Sequence, residues 1–302
     1  TGLARVKRYS YRNKVEMLRV ENISQAAAKQ RSGRCGRVAD GISVRLYSED
    51  DFNARPAFTD PEVLRSSLAA VILRSLSLGL GKVEEFPFLD PPSTRAIADG
   101  YALLSELGAV NDANELTETG RELARLPLDP RVGRMLVAAR TEGCLEQMLV
   151  IAAALSVQDP RDRPLEKAAA ADERHAKFAD ERSDFLGFLK LWNAFGGGVA
   201  ALPSRKLCRD HFLSYARMRE WRDIHAQIRQ SVEELEWKMS GTNLEKPEGY
   251  RAVHLALLCG LLGNIGMKDE QENNYTGARG IKFWAHPGSG TKKPGKWIIA
   301  AE

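Results

Sequence analysis

Residues 30–37, with the sequence QRSGRCGR, combine side chains that are suited to phosphate chemistry. On a continuous helix Gln30, Arg34 and Arg37 would share one face, because they stand at positions i, i+4 and i+7. Two guanidinium groups could neutralise the charge that develops on the γ-phosphoryl group of a nucleoside triphosphate, while the amide orients the attacking water. We therefore predict that these three residues are catalytic groups of a nucleotide site. The alternative is a basic helix that contacts RNA phosphates or solvent.

Two glycines stand inside the same predicted helix. Gly33 and Gly36 each cost about 1 kcal/mol relative to alanine in a helix, so something should compensate for them. Close approach of a ligand or of a partner backbone would do so. We therefore predict that Gly33 lies against the nucleotide together with Gln30, Arg34 and Arg37.

The elements that must hold this segment in place follow from the flanking sequence. Residues 4–23 alternate in polarity and predict an antiparallel hairpin with its turn at 11–14. Ser24 is predicted to cap a helix that runs through residue 25 toward Arg37. A short strand over 42–47 and a loop over 49–58 are predicted to follow.

From Asp60 the pattern changes to helices. Asp60 and Pro61 are predicted to begin the first of them. A second helix over 93–107, two short strands over 109–116 and a helix capped by Thr117 complete the series. This order of elements is that of a winged helix.

Residues 130–261 are almost entirely helical in pattern, and after them the periodicity changes to two. Within the helical part, one helix is predicted over 204–221. In the last part, strands are predicted over 280–285 and 296–300, on either side of a turn at 287–290. These strands predict the beginning of a β-barrel.

The charges of the chain are unevenly distributed. The 302 residues carry a net charge of +4, but residues 1–37 hold ten Lys and Arg against two Glu, and residues 275–302 hold five against one. The middle of the chain is therefore acidic, with a balance of −8. Basic ends favour an anionic partner such as a nucleic acid, and the alternative is that these ends are simply solvated.

Composition excludes several classes of protein. With 43% hydrophobic and 28% charged residues, the chain is neither collagen-like nor wholly disordered. Its four cysteines lie at least 51 residues apart, so neither a disulfide scaffold nor a zinc site is predicted, and their usage fits reduced thiols. The longest apolar run, 148–157, is about half of a bilayer span. We predict a cytoplasmic protein that holds no metal ion and contacts no membrane.

The segment QRSGRCGR resembles motif VI (QRxGRxGR) of superfamily 2 helicases, in their DEAH-box branch. The resemblance extends over nearly the whole chain. Residues 116–136, LTETGRELARLPLDPRVGRML, are similar to the winged-helix region of this family, and residues 178–195, FADERSDFLGFLKLWNAF, to its helical ratchet region. Residues 249–290, which begin GYRAVHLALL, resemble the start of the OB-fold of the bacterial HrpA-like members.

The resemblance implies a mainly α fold with small β parts (an α+β multidomain chain) in four domains. Residues 1–60 would be the remnant of a second RecA-like α/β domain, with the hairpin and motif VI, and residues 61–127 a winged helix. Residues 128–247 would form the ratchet domain, and residues 248–302 the start of an OB-fold. The family's GxxxxGK[ST] loop, DEAH tetrad and SAT-type motif are absent from the sequence. We therefore expect the chain to be a piece of a longer helicase.

The function that the resemblance implies is that of an ATP-dependent RNA helicase, which couples hydrolysis to translocation on single-stranded RNA and to strand separation. ATP and magnesium would bind between two RecA-like domains in the full-length protein, with Gln30, Arg34 and Arg37 at the γ-phosphate. Arg31 would hold the local structure or an acidic neighbour. Since the P-loop is absent, we predict that this chain alone neither binds ATP tightly nor hydrolyses it.

The partners implied in the same way are single-stranded RNA, or an RNA duplex with a single-stranded tail, and the missing RecA-like domains in cis. The chain itself would be monomeric. Three clusters are predicted to contact RNA: the hairpin, where rings and cations interleave, the helix over 204–221, and the loops of the OB-fold. Their residues are Arg8, Tyr9, Tyr11, Arg12 and Lys14, then Arg209 and Arg217, then Lys282, His286, Ser289, Lys292 and Lys293.

Each cluster has an alternative interpretation. The hairpin could be an exposed edge with aromatic packing, the arginines of the helix over 204–221 could lie in the core or in solvent, and the lysines of the last segment could simply be solvated. His211, between the two arginines, is interpreted as a core residue. A non-enzymatic winged-helix and OB module that binds RNA or protein is the alternative function. A DNA-binding regulator is opposed by the helix over 93–107, where Arg95 is outnumbered by Asp99 and Glu106.

Overall fold

The first elements of the chain form a hairpin. Strands β1 (Leu3–Ser10) and β2 (Val15–Asn22) pair antiparallel along their whole length. The computed structural model describes residues 1–10, 15–195, 204–269, 271–272, 274–286, 288–291 and 295–301. The predicted hairpin is confirmed, and its predicted turn at 11–14 lies outside the described residues.

The chain divides into two compact units, Thr1–Leu103 and Leu104–Glu302. In the first unit, helix α1 (Gln25–Gly33) begins where it is predicted, because the Ser24 side chain accepts a hydrogen bond from a backbone amide of the first turn at 3.2 Å. The helix ends at Gly33, so its predicted continuation to Arg37 is wrong. Gly33 and Gly36 account for the difference, since neither residue favours a helix.

Two predictions for the segment after α1 are also wrong. Residues 42–47 form no strand, because a strand needs a hydrogen-bonded neighbour and the described part of the chain provides none there. Ile42 is accordingly 91% exposed. Residues 49–58 are not simply a loop, because they begin with helix α2 (Glu49–Ala54). The Ser48 side chain caps α2, and three acidic residues stand in its first turn.

The helix predicted to begin at Pro61 is divided. Residues Glu62–Leu64 form one 3₁₀ turn, and α3 extends from Ala69 to Ser77. The Ser67 hydroxyl accepts a hydrogen bond from the Ala69 amide at 3.4 Å, which offers the backbone an alternative to a continuous helix.

Helix α4 (Thr94–Glu106) is confirmed as predicted, with Ser93 as its cap at 3.2 Å from the Ala96 amide. It packs closely on α3 through Gly100. A Cβ at that position would lie 2.6 Å from the Cδ1 atom of the buried Ile72 side chain, so a larger residue would force that side chain to shift.

The second unit continues with two short segments that are bridged between Val110 and Leu116, and with α5 (Glu118–Arg125), which Thr117 caps. These agree with the prediction. The remaining helices are α6 (Pro130–Glu142), α7 (Leu145–Leu155), α8 (Ala168–Ala176), α9 (Asp184–Ala194), α10 (Arg205–Asp210), α11 (Tyr215–Glu234) and α12 (Pro247–Gly260).

The core of the second unit surrounds α7, which is buried on nearly all sides. Helices α6, α9 and α11 pack against it. Trp221 on α11 is fully buried, and its indole N–H donates to the Val150 carbonyl at 3.0 Å. The ring of Trp192 lies 5.0 Å from that of Trp221. Trp221 thus joins α11 to α7 through a hydrogen bond and to α9 through ring packing.

The single helix predicted over 204–221 is wrong, because α10 and α11 are separate helices. Leu213 pairs with Arg161 in an isolated β-bridge, and the Ser214 amide donates to the Pro160 carbonyl at 2.8 Å. Phe212 adopts a positive φ of 52° at the break. Pairing with a segment distant in sequence therefore overrides the local helical pattern.

Among the described residues, four short strands form the last sheet, in the order β5-β4-β3-β6, with every pair antiparallel. The strands are β3 (Ile265–Lys268), β4 (Tyr275–Gly277), β5 (Lys282–Phe283) and β6 (Trp297–Ile299). Strands β5 and β6 fall within the predicted strands but are shorter. A mainly α chain with small β parts is thus confirmed.

No helix in the described part of the chain is long and apolar enough to cross a membrane.

Acid should destabilise the second unit through His225 on α11, because burial lowers the pKa of this residue to about 4. In the unfolded chain its pKa is about 6.5, so below that pH the unfolded state binds a proton that the folded state does not. Stability is therefore lost as pH falls from about 6.5 to about 4, by about 2 kcal/mol at pH 5. Urea unfolding at several pH values in this range measures the slope of the free energy of unfolding against pH.

The matched variants are His225→Gln and His286→Gln, since His286 is exposed. We expect the first substitution to flatten the slope and the second to leave it unchanged. Burial also lowers the pKa of His254, so some acid dependence remains in His225→Gln. An unchanged slope in His225→Gln would contradict the prediction.

Candidate nucleotide and RNA interfaces

Helix α1 forms one wall of a groove of about 780 Å³ in the first unit. The hairpin forms another wall, and residues 56–65 close the groove. Gln30, Arg31 and Arg34 line it from the α1 side, and cations of β1 line it from the hairpin side. The groove therefore brings Gln30 and Arg34 together, as the spacing of these residues predicts.

Arg37 does not share this face of the helix, because α1 ends at Gly33 and Arg37 lies beyond it in an exposed segment. The predicted i, i+4, i+7 arrangement of the three groups is therefore wrong. A Cβ at Gly33 or Gly36 would meet no atom within 4 Å, so packing does not require these glycines. The space beside both glycines is therefore open.

Within the described residues, the side chains of Gln30, Arg34 and Arg37 make no hydrogen bond or ion pair. Arg31 differs, because its guanidinium donates to the carbonyls of Thr1 at 3.2 Å and Leu3 at 3.3 Å. This confirms the interpretation that Arg31 holds the local structure. The other three groups are chemically available to a bound anion.

On the hairpin, Arg8 is engaged by two carboxylates. Its guanidinium lies 2.9 Å from the Glu21 carboxylate and 2.7 Å from that of Asp60. Hydrogen bonding to Glu21 and Asp60 raises the pKa of Arg8, and the same contact with Arg8 lowers the pKa of Glu21. A phosphate would have to compete with both acids for this arginine.

The other hairpin residues predicted to contact RNA are less informative. The Tyr9 amide donates to the Arg65 carbonyl at 2.7 Å, which attaches β1 to the segment after the hairpin. Tyr11, Arg12 and Lys14 lie outside the described residues.

In the second unit, the two arginines of the predicted ratchet cluster lie on different helices. Arg209 is exposed on α10, and its side chain has no polar partner among the described residues. Arg217 on α11 is paired with Asp162 at 2.9 Å and donates to the Asp159 carbonyl at 3.1 Å. His211 lies between the helices against the rings of two phenylalanines, which agrees with a core role.

A cleft of about 1620 Å³ collects three of the residues predicted for the OB region: Lys282, His286 and Ser289. Two of them already have acidic partners. Lys282 is paired with Glu272 at 2.8 Å, and the Ser289 hydroxyl donates to Asp184 at 2.6 Å. Lys292 and Lys293 lie outside the described residues.

The same cleft contains aromatic residues that the sequence reasoning missed. Trp284 and Trp297 line it and are 66% and 61% exposed. Asp159, Glu181 and Asp184 also line it, so its polar rim is partly acidic. The clustering of tryptophans around the predicted turn at 287–290 was the sequence signal that could have identified them.

Comparison with known proteins identifies the family. The model of the winged-helix part of the helicase associated domain (HA2) matches residues 102–128, and that of its ratchet-like part matches residues 129–188. The ATP-dependent RNA helicase HrpA of Escherichia coli is 52% identical over 310 residues, in an alignment that covers 100% of this chain and 24% of that protein. The chain belongs to the HrpA-like helicase family.

The HrpA homolog of Haemophilus influenzae is 50% identical over 312 residues, again with 100% of this chain and 24% of the relative covered. The chain thus spans about a quarter of the length of the curated HrpA relatives it matches. The two HA2 models confirm that a winged-helix part and a ratchet part are present, and the predicted bounds of these domains stay predictions. The RecA-like and OB assignments stay predictions.

Proposed function

We propose that this chain is the part of an ATP-dependent RNA helicase that carries motif VI, the hairpin, the winged helix, the ratchet and the start of an OB-fold. Residues 1–60 then belong to the second RecA-like domain and residues 248–302 to the OB-fold. The observation that best supports this proposal is the groove of the first unit, in which Gln30 and Arg34 stand together with unengaged polar groups.

In this proposal the γ-phosphate of ATP approaches the open end of α1. Arg34 supplies positive charge to the phosphoryl group in the transition state, and Gln30 orients the attacking water. Arg37 approaches the same phosphate from the segment after the helix. The rest of the helicase would supply the P-loop and the residues that hold magnesium, which would neutralise part of the phosphate charge.

The RNA interface in the proposal uses cations that no carboxylate neutralises. Arg209 fits this requirement, whereas Arg8, Arg217 and Lys282 are paired with acids. RNA contact by the paired cations would require exchange of a carboxylate for a phosphate. The helicase would act in the cytoplasm, and this part of it would be monomeric.

Binding of this chain to a labelled single-stranded RNA, across a salt series and against duplex DNA, tests the RNA interface. We expect tighter binding to the single strand, with affinity that falls as salt rises, because each neutralised phosphate releases counterions. Arg209→Gln should reduce the salt slope by about 0.7 for the phosphate it no longer contacts.

The matched control is Arg163→Gln, because Arg163 is an exposed arginine already paired with Asp172 at 2.7 Å. We expect no change in slope for this control. Equal loss in both variants would show that only net charge matters. Absence of binding would contradict the RNA interface on this chain.

The alternative is a non-enzymatic module that binds protein. The acidic residues that line the cleft of the second unit favour this alternative, since they oppose a phosphate backbone. This alternative would be supported if the chain bound no RNA at any salt concentration and if a helicase that lacks Arg34 kept its full ATP turnover.

A further inference from the structure

The base of the hairpin is held by a buried arginine that lies outside every predicted cluster. The Arg55 side chain is only 4% exposed. Its Nη1 atom donates to the carbonyls of Gly2 at 2.8 Å and Ile23 at 3.4 Å. These carbonyls flank the two ends of the hairpin, where the Ile23 amide also donates to the Gly2 carbonyl at 3.0 Å. One guanidinium thus joins the start of β1 to the end of β2.

The same guanidinium also contacts a carboxylate and an aromatic ring. Arg55 Nη2 lies 2.6 Å from Oδ2 of Asp51, and its plane stacks 3.9 Å from the centre of the Tyr47 ring. A Cβ at Gly2 would lie 2.6 Å from Nη2, so the close approach of backbone and guanidinium requires glycine there. The site is therefore built around a planar, forked cation.

The backbone at the same position holds the start of α1. The Arg55 carbonyl accepts a hydrogen bond from the Gln25 side chain at 2.9 Å, and the Pro56 carbonyl accepts one from the Gln25 amide at 3.0 Å. Arg31, one turn before Arg34, donates to the Leu3 carbonyl at 3.3 Å. Hairpin and helix are thus attached to each other at two points.

We propose that Arg55 is a positioning residue that couples the nucleotide-facing helix α1 to the hairpin. A displacement of α1 is transmitted through Arg55 and Arg31 to the base of both strands, because each arginine bonds backbone carbonyls of β1 or its flank. This inference rests on the proposed function for its consequence, which is that RNA on the hairpin side and ATP on the α1 side affect each other. Arg55 itself touches neither ligand.

Hydrogen exchange on the chain itself tests the physical link without ATP or RNA. The variant is Arg55→Met, and the matched control is Arg45→Met, because Arg45 is exposed and stacks on Phe52 at 4.1 Å in the same segment. We expect the amides of Ile23 and Gln25 to exchange at least about tenfold faster in Arg55→Met. Their acceptors are the carbonyls of Gly2, which Arg55 bonds, and of Pro56, which follows Arg55 in the chain. They should be unchanged in Arg45→Met.

The coupling is tested in a helicase in which this chain replaces the matching part of the Escherichia coli relative. We expect Arg55→Met and Arg55→Lys to retain ATP turnover without RNA, and to lose at least about tenfold of the RNA-stimulated increase. Lysine keeps the charge but lacks the fork that bonds two carbonyls and a carboxylate together. Arg31→Gln should cause a smaller loss of the same kind, because Arg31 is exposed and, among the described residues, donates only to the carbonyls of Thr1 and Leu3.

The outcomes separate the link from the proposed function. Equal losses of basal and RNA-stimulated turnover in both Arg55→Lys and Arg31→Gln would mean a merely structural role and would overturn the proposal. Unchanged exchange at the hairpin base in Arg55→Met would overturn it as well. If the unmodified chimera hydrolyses no ATP, the proposed function fails. In that case, faster amide exchange at Ile23 and Gln25 in Arg55→Met, with no increase in Arg45→Met, still supports the link.

Discussion

Arg34→Ala is expected to reduce ATP turnover by about 10³–10⁵-fold in a helicase where this chain replaces the matching quarter of Escherichia coli HrpA. The loss is large because an arginine finger acts on charge that develops only in the transition state, so no ground-state contact compensates for it. Arg34 is exposed and has no polar partner in the described part of the chain, so its removal leaves the fold intact. Steady-state phosphate release measures the effect.

Two further variants make this prediction specific. Arg34→Lys keeps the charge but not the planar fork, and we expect it to recover little of the lost rate. Lys29→Ala removes an exposed cation from the same helix, and we expect turnover within about twofold of the unmodified chimera, as for an ordinary surface change. Arg34→Ala with turnover comparable to Lys29→Ala would refute the role of Arg34 as a finger.

Trp221→Ala should lower the free energy of unfolding of the second unit by about 3–5 kcal/mol. The side chain is fully buried between α7 and α9, so its removal leaves a cavity in the centre of the core. It also leaves the Val150 carbonyl without its indole donor. Both effects destabilise the folded state. The closely packed core around α7 has little freedom to move into the cavity and fill it.

Tryptophan fluorescence during urea unfolding reports this loss selectively. The five tryptophans of the chain all lie in the second unit, at positions 192, 221, 237, 284 and 297. Trp284→Ala is the control, because this side chain is 66% exposed and its removal should cost less than about 0.5 kcal/mol. Similar losses in the two variants would contradict the assignment of Trp221 to the core.

Several elements could be predicted because their signals are local. Ser24, Ser93 and Thr117 each cap the helix they were predicted to cap, since a hydroxyl bonds an amide only three residues away. The pairing of β1 with β2 follows from an alternation that repeats over adjacent residues. Motif VI could be recognised for the same reason, because its residue types and spacing are contiguous in the chain.

Other elements could not be predicted, because distant segments decide them. The break between α10 and α11 depends on pairing with residues 160–161, which no local pattern reveals. Whether Arg37 shares a helical face with Gln30 depends on where α1 ends. No side chain in the described part of the chain packs against Gly33 or Gly36, so no side-chain contact extends the helix beyond Gly33. A buried arginine such as Arg55 has no sequence signal, because arginine is ordinarily exposed.

The sequence by itself thus determined the family, the helix caps, the hairpin and the resemblance of residues 30–37 to motif VI, all of which are encoded by neighbouring residues. Only the tertiary structure decided which cations are available, because pairing of Arg8, Arg217 and Lys282 with carboxylates depends on segments brought together by folding. It also decided that Arg55 joins the hairpin to α1. A charge count cannot distinguish a paired cation from a free one, since the two differ only in what folding places within about 3 Å.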